Sequence, residues 1–161
     1  MKALKILSGI LKILTVLTFS ALMIVVLIQI IGRFTPFSFV WTEELTRYLF
    51  IYSVAFGAPV AMEKREYITV DLLIGFLPEK VRKYYNAFIY FVLGVFGAML
   101  ITHAYDFALL GEGQTSATLE IEMFYVHLSM VITLIFVSLY SFLNIYHMLR
   151  DSINESEEGV E

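Results

Sequence analysis

The chain has no cysteine, which excludes a disulfide framework, a thiolate zinc site and a cysteine nucleophile. It is also poor in charge: 16% of its 161 residues are Asp, Glu, Lys or Arg, against about a quarter in an ordinary soluble domain. Its Lys and Arg residues sit at the edges of apolar blocks and form no continuous basic stripe, so nucleic-acid binding has no electrostatic footprint here. What is present instead is hydrocarbon. Hydrophobic residues make up 59% of the chain, the mean hydropathy is +0.79, and the apolar residues come in runs too long for the core of a small soluble fold.

Four such runs are candidate transmembrane helices, at about 10–32, 45–62, 84–106 and 123–149. The first holds a charge-free block from Ile13 to Ile31, which at 1.5 Å per residue nearly matches a hydrocarbon core of about 30 Å. Lys2, Lys5 and Lys12 precede it in signal-peptide fashion. The block runs straight into Arg33 without a small-residue cleavage site, and it reads as a retained anchor. The second run carries Arg47 near its start, where the side chain can bend toward the headgroups, and Pro59 near its end, where a loosened last turn is expected. The expected fold is an all-α membrane protein of four transmembrane helices.

Basic residues near span ends are retained on the cytoplasmic side. Lys64, Arg65, Lys80, Arg82 and Lys83 lie between the second and third runs, whereas residues 106–122 contain no Lys or Arg. Both termini are therefore expected in the cytoplasm (N-in/C-in), and the loop before the last run outside. Residues 67–78 are too short to span and too apolar for a solvated loop. They read as an interfacial amphipathic helix with Tyr67, Ile74 and Phe76 at the membrane interface and Asp71 with the flanking Lys64, Arg65, Lys80, Arg82 and Lys83 toward the headgroups, or else as a short helix packed on partner protein. The acidic, aperiodic residues 151–161 are expected to be a disordered tail.

The segment WTEELTRY at Trp41 to Tyr48 concentrates charge at a membrane edge. A local explanation suffices: Thr42 as N-cap, Glu43 and Glu44 in the first turn, and Glu43 with Arg47 as an i,i+4 pair. The functional alternative joins Arg33, Glu43, Glu44 and Arg47 in a polar network at a protein contact, because charges facing lipid are costly. Trp41 suits either, as an interfacial anchor or a contact residue. Gly57 with Ala61, and Gly94 with Ala98, have the small-xxx-small spacing that lets helices approach closely, within this chain or against another. His103 and His127 lie near the same membrane face and could serve a haem-binding membrane anchor of a redox complex, but nothing local resembles a haem-packing motif. No carboxylate stands in the middle of a run, where cation-coupled carriers place one, so a supporting role in transport is expected.

In order along the chain stand Arg33, WTEELTRY, GAPVA at Gly57 to Ala61, EKREYITVDLL at Glu63 to Leu73, Leu77-Pro78, Arg82 and QTSATLEI at Gln114 to Ile121. This succession resembles the small membrane subunit, of the DctQ type, of tripartite ATP-independent periplasmic (TRAP) transporters. The sequence departs from that pattern at Tyr67, where His is frequent, and in EIEMFYVHLSMVI, where prolines are frequent. The resemblance implies a subunit without catalytic or cofactor sites in the inner membrane of a bacterium or archaeon. It would form a stable heterodimer with a large elevator-type subunit that carries the substrate and sodium sites. A soluble periplasmic binding protein would deliver an organic acid to that pair. It also implies that Arg33, Trp41, Glu43, Glu44, Arg47, Gly57, Ala61 and Asp71 belong to the subunit interface or to the motifs that shape it.

Overall fold

The computed structural model describes residues 2–35, 39–63 and 79–158. Four helices account for most of them: α1 (Lys2–Arg33), α2 (Trp41–Glu63), α3 (Glu79–Leu109) and α4 (Met123–Glu158). Each is long and apolar enough to cross a membrane. Charge-free runs leave the backbone no water to bond, and the helix satisfies its N–H and C=O groups internally. Residues 64–78 lie outside the described part of the chain, and with them Lys64, Arg65, Tyr67, Asp71, Ile74, Phe76 and the interfacial helix expected at 67–78.

The helices overrun the expected spans. α1 begins at Lys2 and has 32 residues, about 48 Å at the helical rise. It therefore projects beyond a 30 Å core or tilts within it. Pro59 does not end α2, which runs on to Glu63 with Pro59 fully buried. α4 continues to Glu158, so the expected disordered tail is helical backbone up to that residue. Extending a formed helix fixes only one residue per added hydrogen bond, and Glu is a good helix former.

In space the helices form a row in the order α1, α2, α4, α3. Contacts fix their directions. Ser8 near the start of α1 meets Glu63 at the end of α2, so these two are antiparallel. Tyr52 of α2 bonds Tyr125 of α4 and Asn144 of α4 bonds Met62 of α2, so these two run parallel. Gly94 of α3 lies against Ser141 of α4, and Gly111, just past α3, against the start of α4, so this pair is antiparallel. We call the end holding Ser8, Glu63 and Asn144 basal, and the end holding Trp41 and Met123 apical.

The basal core gathers all four helices through Leu11, Met62, Tyr90, Tyr140 and Met148; the apical core is a smaller α3–α4 contact of Ala104, Ala108 and Val131. Small and polar residues make close approach possible, as expected where lipid supplies no hydrophobic drive between helices. A Cβ on Gly57 would sit 3.4 Å from Thr15 of α1. The hydroxyl of Ser138 donates to the Gly94 carbonyl at 2.9 Å. The packing stripe on α3 is Gly94 with Gly97, both buried, and not Gly94 with Ala98, which is exposed. The serines opposite, Ser138 and Ser141, are three residues apart, and an i,i+3 pair on α3 matches them. Gly57, Gly94 and Gly97 thus serve contacts within the chain.

Candidate functional site

At the apical end, the start of α2 and the loop between α3 and α4 form one unit. α2 opens with turn-type bonds, from Thr42 N–H to the Phe39 carbonyl at 3.1 Å and from Glu43 N–H to the Val40 carbonyl at 3.4 Å. Thr42 is buried, and its hydroxyl donates back to the Phe39 carbonyl at 2.6 Å. It is thus not the expected N-cap: the helix already starts at Trp41, and Thr42 lies inside its first turn.

In the same first turn, the Glu44 side chain reaches away from its own helix. Its Oε2 accepts hydrogen bonds from the backbone N–H groups of Thr118 and Leu119, each at 3.2 Å. The loop it grips is itself built. Thr115 and Glu122 form an antiparallel bridge, Ser116 N–H donates to the Ile121 carbonyl at 2.9 Å, and Ile121 N–H donates to the Ser116 hydroxyl at 3.3 Å. Gly113, at φ +73°, and Glu120, at φ 53°, take left-handed turn positions. Tyr52 adds a second tie, its hydroxyl donating to the Tyr125 carbonyl at 2.5 Å. Gly111 is required for close approach, since a Cβ there would lie 2.5 Å from the backbone nitrogen of Phe124. Two motifs read separately in the sequence, WTEELTRY and QTSATLEI, therefore meet through Glu44.

The other charges of the expected network stay apart. Glu43 and Arg47 pair along the helix at 3.7 Å, both mostly exposed. Arg33 is exposed at the end of α1 and makes no ion pair with a described acid. Trp41 opens α2, 36% exposed and edge-on to Phe39. Ala61 is half-buried and Arg82 is exposed. His103 is exposed and bonds its neighbour Thr102, while His127 stacks on Phe107 with ring centroids 4.4 Å apart. Among the described residues no hydrogen bond or ring contact joins the two histidines, and no group of three metal-binding side chains occurs.

A second polar centre at the basal end escaped the sequence reading. Glu63 Oε2 accepts from the Ser8 hydroxyl and pairs with Lys12 at 2.9 Å. Asn144 Nδ2 donates to the Met62 carbonyl at 2.9 Å. Lys12 and Asn144 were its signals: one cation and one amide set inside otherwise apolar runs, where an unpartnered polar group is costly.

Among the described residues the arrangement brings together no nucleophile with a base and no convergent acids. It is a set of interhelical ties around a broad apolar surface. Only 11% of the most apolar stretch of α1 is buried, against 33% of that of α4, and Ile13, Val16, Leu17, Ile24 and Ile31 are each more than half exposed.

Residues 22–151 match the family model for tripartite ATP-independent periplasmic transporters, DctQ component. A 72-residue segment is 38% identical to the sialic acid TRAP transporter permease protein SiaT of Haemophilus influenzae (strain 86-028NP), covering 44% of this chain and 12% of that protein. The chain is thus similar to a small part of a much longer permease. The haem-anchor alternative finds no support in either comparison.

Proposed function

The chain belongs to the DctQ component family of the tripartite ATP-independent periplasmic transporters, and from that membership we propose that it is the small scaffold subunit of a sodium-coupled TRAP transporter. In this reading it binds a large elevator-type membrane subunit and braces it during uptake of an organic acid delivered by a periplasmic binding protein. Substrate choice lies with those two partners. The SiaT relative is named for sialic acid, one acid of the expected class.

The observation that carries the reading is the pairing of internal rigidity with external apolarity. Ties at both ends lock α2 to its neighbours, at Glu44 and Tyr52 above and at Glu63 and Asn144 below. The flank of α1 presents large apolar side chains to its surroundings. A rigid body with a wide apolar flank suits a fixed support for a subunit that moves. In keeping with this, the charge-free middles of all four spans offer no ion-coupling carboxylate.

We further propose that the basal end is cytoplasmic and the apical loop periplasmic, in an inner membrane. Lys5, Lys12, Arg82 and Arg150 lie basally while 106–122 has no Lys or Arg. The 67–78 segment, leaving α2 at the basal end, would then lie on the inner leaflet through Tyr67, Ile74 and Phe76. Exposed Arg33, Trp41 and Arg47 at the apical end are the contact residues proposed for the large subunit or its lipid shell.

The deciding experiment is co-expression of the tagged chain with its neighbouring large membrane protein, gentle extraction and reconstitution. A stable one-to-one complex, with sodium-driven uptake only when both chains are present, is the expected result. Transport by this chain alone, or uptake by the large subunit at the full rate without it, would overturn the scaffold reading.

A further inference from the structure

The basal end carries a cleft of about 240 Å³ between the start of α1, the end of α2 and the Tyr140–His147 stretch of α4. Leu4 and Leu143 supply apolar wall, and Lys5, Glu63, Tyr140 and His147 supply polar groups. Their charges do not cancel. Glu63 is already engaged by Lys12 and Ser8, whereas Lys5 is exposed and has no carboxylate in ion-pairing reach among the described residues. His147 is half-buried beside it. Tyr140 is 5% exposed, and its side chain is hydrogen-bonded to Ser8. The cleft therefore offers one net positive charge, carried by Lys5.

We propose that this cleft holds the phosphodiester of an anionic phospholipid. Lys5 and His147 contact the phosphate oxygens. Position favours a lipid, because the cleft sits where four membrane-crossing helices reach their basal ends. The face of α1 that carries Lys5 continues, at helical spacing, through Lys12, Val16, Phe19 and Met23, and the last three are at least half exposed. That stripe gives an acyl chain an apolar track leading away from the phosphate. A headgroup bearing an amine would need a second acid, which Glu63 cannot supply while it holds Lys12. The preference is thus for a glycerol headgroup over ethanolamine or choline. Basic pockets between transmembrane helices recognise anionic headgroups by this chemistry.

The inference depends on the membrane spans alone and not on the scaffold reading, so it is tested on the purified full chain without a transport assay. Phosphatidylglycerol, phosphatidylethanolamine and inorganic phosphate are titrated separately and binding is read by native mass spectrometry. Phosphatidylglycerol is expected to bind the wild type best. Its affinity should fall at least fivefold in Lys5→Gln combined with His147→Ala, at about a factor of five for each basic charge near the surface. Lys5→Arg should retain it, and Arg150→Gln, a basal cation outside the cleft, should leave it unchanged. Equal binding by the double variant, an equal loss in Arg150→Gln, or inorganic phosphate competing as well as the lipid would each overturn the proposal. The last would identify a free-phosphate site.

Discussion

Glu44 and Leu119 stand 75 residues apart in sequence and share a hydrogen bond of 3.2 Å, the Leu119 N–H donating to the Glu44 carboxylate. A first-turn acid would ordinarily serve its own helix, offsetting the positive end of the dipole. Here the carboxylate also reaches across to another connection and accepts two of its backbone donors. The α3–α4 loop is thereby fixed to α2, although α2 and α3 are not principal packing partners.

Removing this acceptor should free the loop while sparing the helices. Glu44→Ala is expected to speed hydrogen exchange at the Thr118 and Leu119 amides, with little change at Ser116, whose N–H bonds the Ile121 carbonyl within the loop. Glu44→Gln, which keeps a neutral acceptor, should fall between. Unchanged exchange at both amides in the Ala variant would show that the loop holds itself.

The close approaches of α3 and α4 make glycine substitutions severe. Gly111→Ala drives a Cβ into backbone, at 2.5 Å from Phe124 N. Gly94→Val meets the Phe142 ring and Ser141 at 3.2 to 3.3 Å before its extra methyl groups are placed. Each is expected to lower stability by about 1–3 kcal/mol, the usual penalty of overpacking. Ser138→Ala, which deletes the hydroxyl bonded to the Gly94 carbonyl, should lose only about 0.6 kcal/mol. Thermal unfolding in detergent distinguishes the two classes by the size of the shift.

The basal pair Lys12–Glu63 should behave as a coupled unit. Its side chains are 46% and 32% exposed, so solvent screening limits the coupling to about 1 kcal/mol or less. Lys12→Gln or Glu63→Gln alone leaves one charge at the boundary without its mate. The double variant is therefore expected to lose less than the sum of the singles. Strict additivity in a double-mutant cycle would count against a working ion pair.

The lack of natural cysteine makes sidedness directly measurable. Ala117→Cys on the apical loop and Arg82→Cys at the basal end are both exposed positions. In intact cells an outer-face thiol reagent is expected to label the first and not the second, with both labelled after lysis. The reverse pattern would invert the proposed orientation.

The four spans were legible because a charge-free run of about twenty residues has one stable solution in lipid. Their ends were not, because Lys5 and Lys12 look like the borders of a membrane segment yet are carried on α1, with Lys12 held by Glu63. Thr42 looked like a cap from its residue type, and only the turn at Phe39 and Val40 shows the helix starting before it. The choice of Gly97 over Ala98 depends on which face of α3 meets Ser138, and the spacing of small residues leaves that open. Glu44 was singled out, but its partners were not: a contact across 75 residues leaves no periodic trace. Asn144 and Tyr52 were passed over for the same reason.

The spatial order α1, α2, α4, α3 also carries a timetable. As the chain leaves the ribosome, α1 and α2 can close as a hairpin at once, since each is the other's principal neighbour. α3 emerges third, but the surface of Ser138 and Ser141 on which Gly94 and Gly97 close is still unmade. At about 5–20 residues per second, α3 waits several seconds for α4, with its glycine face open to lipid or to the insertion machinery. α4 then arrives between α2 and α3 and completes the row in one step. A defect in α4 would consequently strand α3 first, leaving the α1–α2 hairpin as the surviving fragment.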